Sequence, residues 1–269
     1  MSAELTTVIC LLLIFAATTL GAVCVYFFKK DFSPKLSAVV MGLASGIMMS
    51  VSVFGLILPS MEDATFYPGF DWVPVIVGFL LGCLLLYGLD KIVPHLHNDD
   101  ERYTEGIKTD KLNKNTKFFL AVTMHNIPEG IAVGLACAMA VIHKGDADAS
   151  TYIASAFSLA TAIAIQNFPE GAAVSIPIFR DGRSKNVSFL YGFFSGIVEP
   201  IAGVIIFFLA AYVSPQIMPW LLSFAGGAMI YVTVEELIPD IKSDDAGHFG
   251  IWSFIIGFIS MMMMELLLG

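Results

Sequence analysis

The sequence predicts an all-α, polytopic integral membrane protein of eight transmembrane helices with inverted-topology repeats, spans 1–3 mirroring spans 6–8 and spans 4 and 5 forming a central antiparallel pair. Three observations predict it. Hydrophobic residues make up 57% of the 269 and charged residues only 14%, against ~25% charged in a soluble domain. Apolar runs fall at 5–28, 37–58, 73–93, 117–142, 152–179, 187–213, 218–241 and 249–268, and a membrane helix needs ~20 such residues. Two sets of residues also recur in spans that cross in opposite directions.

The first run could pass for a signal peptide. Its leading residues carry Glu4 and no Lys or Arg, it is too long, and Lys29-Lys30 follow it as a stop, so it reads as span 1. Helix breakers separate the later runs: Ser33-Pro34, Tyr67-Pro68-Gly69, Lys144-Gly145-Asp146, Asp181-Gly182 and Ser214-Pro215. The one long connection, 94–116, is expected to be a cytoplasmic loop, and 1–269 reads as a single eight-helix transmembrane domain. The loops after spans 1, 3, 5 and 7 hold 13 of the 14 Lys and Arg residues, leaving Lys144 on the other side. That asymmetry places those loops in the cytoplasm and both termini outside the cell (inner or plasma) membrane. The formal charge of −9 has the wrong sign for a nucleic-acid partner. Cys10, Cys24, Cys83 and Cys137 sit inside apolar runs with no CxxC spacing, as core residues rather than a zinc knuckle or disulfide framework.

His125-Asn126-Ile127-Pro128-Glu129-Gly130 in span 4 recurs as Gln166-Asn167-Phe168-Pro169-Glu170-Gly171 in span 5. Gly46, Met49 and Pro59 of span 2 recur 180 residues on as Gly226, Met229 and Pro239 of span 7. Mates that cross in opposite directions make an inverted repeat, whose ion site lies near the midplane at the repeat interface. The Gly78-Phe79 and Gly257-Phe258 pairs read as convergent use of residues common in membrane helices.

Glu129, Glu170 and Glu199 lie inside spans 4, 5 and 6, which hold no Lys or Arg from 118 to 142, 152 to 179 or 187 to 213. A buried carboxylate costs about 2.5–3.5 kcal/mol on insertion scales, so protons or metal cations must compensate the three. Helical spacing favours metal: His125, Asn126 and Glu129 share one face of span 4, and Gln166, Asn167 and Glu170 one face of span 5. Pro128 and Pro169 free the carbonyls of Met124 and Ile165. One imidazole among carboxylates and amides suits Zn, Fe, Mn or Cd, and the lack of thiolates argues against Cu(I). Seven groups exceed one tetrahedral shell, so two adjacent ions bridged by Glu129 and Glu170 are expected. No prosthetic cofactor is expected.

These residues resemble the ZIP (Zrt/Irt-like) family of divalent metal transporters. The two PEG motifs look like the signature of its fourth and fifth helices, and Gly-Ile-Val-Glu-Pro at 196–200 looks like its sixth-helix glutamate. The resemblance covers essentially the whole chain. It implies a first metal site of His125, Glu129, Gln166 and Glu170 and a second of Asn126, Glu129, Asn167, Glu170 and Glu199. It also implies import of zinc, with cadmium, manganese and iron, into the cytoplasm by alternating access, spans 4 and 5 moving against a scaffold that includes spans 2 and 7. Gln166 stands where many members have His, and Gly55 where some bacterial members have a glutamate opposite Glu235. Both features look like the GufA-like branch and imply a broader metal preference.

Weaker signals remain. Glu235 and Glu236 near the end of span 7 could line the exit path, and His95, His97 and Asn98-Asp99-Asp100-Glu101 open the long loop as a metal-capture or regulatory candidate. His143 and His248 read as interfacial, and Met261 to Met264 as packing or lipid-facing. The lipid bilayer and divalent ions are the expected partners, and a homodimer is compatible with the sequence. The alternative function is a cation/proton or cation/sodium antiporter, which has little use for His125. An intramembrane metalloprotease would need HExxH, which is absent from the chain, so an enzyme is not expected.

Overall fold

The computed structural model describes residues 2–27, 34–92, 95–96, 104–105, 114–212, 215–241 and 248–268. Seven helical stretches among these are long and apolar enough to cross a membrane. Span 1 is Ala3–Val23 with a tighter turn at Cys24–Tyr26, span 3 is Trp72–Ile92, span 4 Lys114–Ile142, span 5 Ala149–Arg180 and span 8 Phe249–Leu268. Span 6 breaks at Ile197 into Lys185–Gly196 and Val198–Tyr212. Span 7, absent from the seven, is Met218–Val232 continued by Thr233–Leu237 and Ile238–Ile241; Glu235, Glu236 and Asp240 make its end polar. In the long loop, His95–Leu96 and Thr104–Glu105 pair antiparallel; His97, the acidic run after it and most of 94–116 lie outside the described residues.

Spans 2 and 7 share a distortion that independently supports the repeat. Both widen into π-helical turns, at Val51–Ile57 and Thr233–Leu237, and a shift of 180 residues carries 53–57 onto 233–237. Pro59 and Pro239 follow two residues later. Each proline lacks an N–H and would clash with the carbonyl four residues back, at Gly55 and Glu235, and the wider turn relieves both faults.

Helix pairing follows the same symmetry. Span 1 packs most extensively on span 5 and span 4 on span 6, while span 2 packs on span 8 and span 7 on span 3. Spans 1, 4, 5 and 6 therefore form one group and spans 2, 3, 7 and 8 another. Lipid offers no hydrophobic drive between helices, so small residues that admit close backbone approach make the seams. A side chain at Gly257 would strike the span 2 backbone at Leu43, and one at Gly78 would strike Ser223 of span 7, the position 180 residues beyond Leu43. The two Gly-Phe pairs thus perform one packing task at repeat-related places, which corrects the expectation of convergence. Cys10 and Cys137 are buried, Cys24 and Cys83 half-buried, and all four are free.

The ends of the bundle are also matched. Lys144 Nζ lies 3.3 Å from Glu4 Oε1, so the turn between spans 4 and 5 sits beside the start of span 1. At the other end Lys185 Nζ donates to the Tyr26 carbonyl at 2.8 Å. His143 is held at one boundary by Asp146 (Nδ1 to Oδ2, 2.7 Å) and stacks on Tyr152, as an interfacial residue would. Met261 is buried and Met263 exposed on the apolar face of span 8, and Glu235 is exposed.

Candidate metal centre

The two motifs face each other where spans 4 and 5 cross, with span 6 behind them. Both helices continue through their internal prolines, Pro128 in one and Pro169 in the other. Their motif glycines allow the approach. A Cβ at Gly130 would overlap the backbone of Glu199 in span 6, and one at Gly171 the backbone of Thr18 in span 1. Backbone cannot yield as a side-chain tip can. Gly130→Ala and Gly171→Ala are each expected to destabilise the bundle by about 1–3 kcal/mol, read as a lower midpoint of thermal unfolding in detergent; unchanged midpoints would contradict these seams.

Asn126, Glu129, Asn167 and Glu199 are fully buried and Gln166 nearly so, while His125 and Glu170 are half-buried at the edge. Gln166 Nε2 donates to Glu129 Oε1 at 2.7 Å, and Asn167 Nδ2 donates to Glu199 Oε2 at 2.9 Å. An ionised carboxylate only accepts, so each amide must present its NH2 to it. Asn126 Nδ2 donates to the Ser195 carbonyl at 2.8 Å, beside the break in span 6 that Pro200 enforces. His125 lies within electrostatic reach of Glu170, and Glu129 within reach of Glu170 and Glu199. The seven expected residues are thus brought together.

What remains unsatisfied is one-sided. Asn126 Oδ1, Glu129 Oε2, Gln166 Oε1, Asn167 Oδ1 and Glu170 Oε1 are buried acceptor oxygens without a hydrogen-bond partner. A buried polar atom without a partner costs roughly 1–3 kcal/mol, so five gathered at one crossing demand a donor or a cation. No Lys or Arg occurs from 118 to 143, 145 to 179 or 186 to 241 to supply one. Among the described residues no three His, Cys, Asp or Glu side chains converge into a ready-made cage; amides bridge the carboxylates instead.

Sequence reasoning missed Thr18. Its Oγ1 donates to Glu199 Oε1 at 2.6 Å from span 1. The one signal was a pair of threonines in an apolar helix, and such hydroxyls ordinarily bond their own helix four residues back.

The sequence profile of the ZIP zinc transporter family matches residues 116–265, which take in both motifs and spans 6 to 8. The chain is 31% identical to zinc transporter ZIP11 of Homo sapiens over 328 aligned positions that cover 94% of each protein. It is 32% identical to zinc transporter GufA of Myxococcus xanthus, with 94% of this chain and 95% of that one covered. It is likewise 32% identical to zinc transporter ZIPB of Bordetella bronchiseptica, over 95% of this chain and 79% of that one.

Proposed function

Because the chain belongs to the ZIP zinc transporter family and is therefore a divalent-metal transporter of the membrane rather than an enzyme, we propose that it imports zinc into the cytoplasm, with cadmium, manganese and iron(II) as further cargo, through a site of His125, Asn126, Glu129, Gln166, Asn167, Glu170 and Glu199. The observation that carries the proposal is the set of five unpartnered acceptor oxygens. They form a buried acceptor shell of two carboxylate and three amide oxygens that a dication completes, and the nearby imidazole of His125 suits a transition metal better than calcium or magnesium.

Gln166 and Asn167 offer the ion their unpartnered Oε1 and Oδ1 while their NH2 groups keep donating to Glu129 and Glu199. Glu129 and Glu170 bridge if two ions are held together. Gln166 supplies an oxygen where an imidazole would bind zinc more tightly, which favours a broad cargo range. All seven residues belong to the group of spans 1, 4, 5 and 6, so movement of that group against spans 2, 3, 7 and 8 would carry the site from one opening to the other, within a single domain spanning 1–269. The pairing of Lys144 with Glu4 at one end and of Lys185 with Tyr26 at the other supports the basic end as the cytoplasmic one.

Calorimetric titration of the purified protein tests the site. Zinc and cadmium are expected to bind at neutral pH and to be released on acidification, because carboxylate and imidazole ligands must be deprotonated to bind. Affinity unchanged from neutral to acid pH, or calcium preferred over zinc, would contradict it.

A further inference from the structure

Glu199 is held differently from the other carboxylates of the centre. Both its oxygens have donors, Thr18 Oγ1 at 2.6 Å and Asn167 Nδ2 at 2.9 Å, whereas Glu129 and Glu170 each keep one oxygen without a partner. Asn167 belongs to the span 5 motif. Thr18 belongs to no motif and lies 181 residues from Glu199 in the chain.

Packing fixes Thr18 independently of its hydroxyl. The residue is 1% exposed. Its backbone carbonyl fills the space where Gly171 lacks a side chain, and its Cβ and Cγ2 fill that of Gly196, where an added Cβ would also meet Glu199 Oε1. Thr18 is thus wedged between spans 5 and 6 in one rotamer. Its bond to the Ile14 carbonyl is long, at 3.4 Å, and the one to Glu199 is short, so the hydroxyl hydrogen goes to the carboxylate. The repeat gives a second indication. Gly130 meets the Glu199 backbone as Gly171 meets the Thr18 backbone, so Thr18 occupies on span 1 the place that Glu199 occupies on span 6. One half of the repeat carries the carboxylate and the other the hydroxyl that orients it.

We propose that Thr18 is a positioning residue for Glu199: its hydroxyl, wedged between Gly171 and Gly196, sets the direction in which the Glu199 carboxylate meets the transported cation. This role rests on the metal-transport reading above and acts through Glu199, not through contact with the ion. Outer partners of metal-binding groups fix their orientation, and losing one typically costs about 10–100-fold in affinity or activity.

The test is zinc uptake into proteoliposomes, with KM and maximal rate measured for wild type, Thr18→Val, Thr18→Ser, Glu199→Ala and the Thr18→Val/Glu199→Ala pair. Thr18→Val is expected to lower the ratio of maximal rate to KM by about 10–100-fold, Thr18→Ser to stay close to wild type, and Thr18→Val to add nothing once Glu199 is Ala. If the Val variant does not fold, Thr18→Ala removes the same hydroxyl with less volume. Wild-type kinetics in the Val and Ala variants, Ser no better than Val, or losses that add in full with Glu199→Ala would overturn the role of Thr18. A wild-type protein that moves no zinc, or moves it regardless of Glu129→Gln and Glu199→Ala, would overturn the transport reading instead.

Discussion

Glu129→Gln is expected to abolish high-affinity zinc binding and to reduce uptake more than about 100-fold, beyond the range seen when only an outer partner of a metal ligand is lost. Gln is the discriminating substitution because it keeps the shape of the side chain and an oxygen that can accept from Gln166 Nε2. Truncation to Ala would also strand that buried amide, at a cost of roughly 1–3 kcal/mol in stability, and so mix a folding defect with the loss of charge. Glu129 also lies within electrostatic reach of both other carboxylates. Removing its charge therefore lowers the attraction for a dication at the whole centre, not at one ligand. Equilibrium dialysis with zinc measures the effect directly. A Gln variant that binds as wild type does would mean that the five unpartnered oxygens are satisfied by something other than a cation.

The second large effect is mechanical. Span 2 belongs to one helix group and span 5 to the other, and they touch at Gly55, where an added Cβ would lie 3.1 Å from Leu159 Cδ1. Cysteines placed at Gly55 and Leu159, with the four native cysteines replaced by Ser or Ala, would join the groups across this seam. Oxidation is expected to stop zinc uptake, and reduction to restore it, while zinc binding to the locked protein persists. Undiminished uptake by the oxidised protein would contradict movement of one group against the other. Glu129→Gln and the cross-link thus fail in opposite ways, one losing binding and the other losing only translocation.

Much of this was legible in the chain because the strongest signals are physical necessities. Carboxylates inside apolar runs with no basic residue to meet them force the question of a cation, and i,i+3 and i,i+4 spacing places His125, Asn126 and Glu129 on one face before any fold is known. The 180-residue offset between Pro59 and Pro239 likewise pointed to the repeat, and the π-helical turns before both prolines gave it a structural cause. Other features were out of reach. The Gly78 and Gly257 seams depend on which helices pair, and hydropathy does not say that span 3 lies on span 7 and span 8 on span 2. The Thr18 bond to Glu199 joins two distant spans through a residue whose local behaviour in a helix is unremarkable. The division into spans 1, 4, 5, 6 and spans 2, 3, 7, 8 was equally out of reach, because it too depends on which helices pair. Span 1 is sealed to span 5 at Gly171 and span 6 to span 4 at Gly130, contacts that only the fold reveals.

The most direct measurement is cation flux into proteoliposomes holding the purified protein, with Zn, Cd, Mn, Fe(II), Mg and Ca offered separately to wild type and to Glu129→Gln. Uptake of the first four, without an imposed sodium or proton gradient and lost in the variant, is the predicted result. Uptake of Ca or Mg, or flux that appears only against a sodium or proton gradient, would contradict a transition-metal importer and point to a cation antiporter.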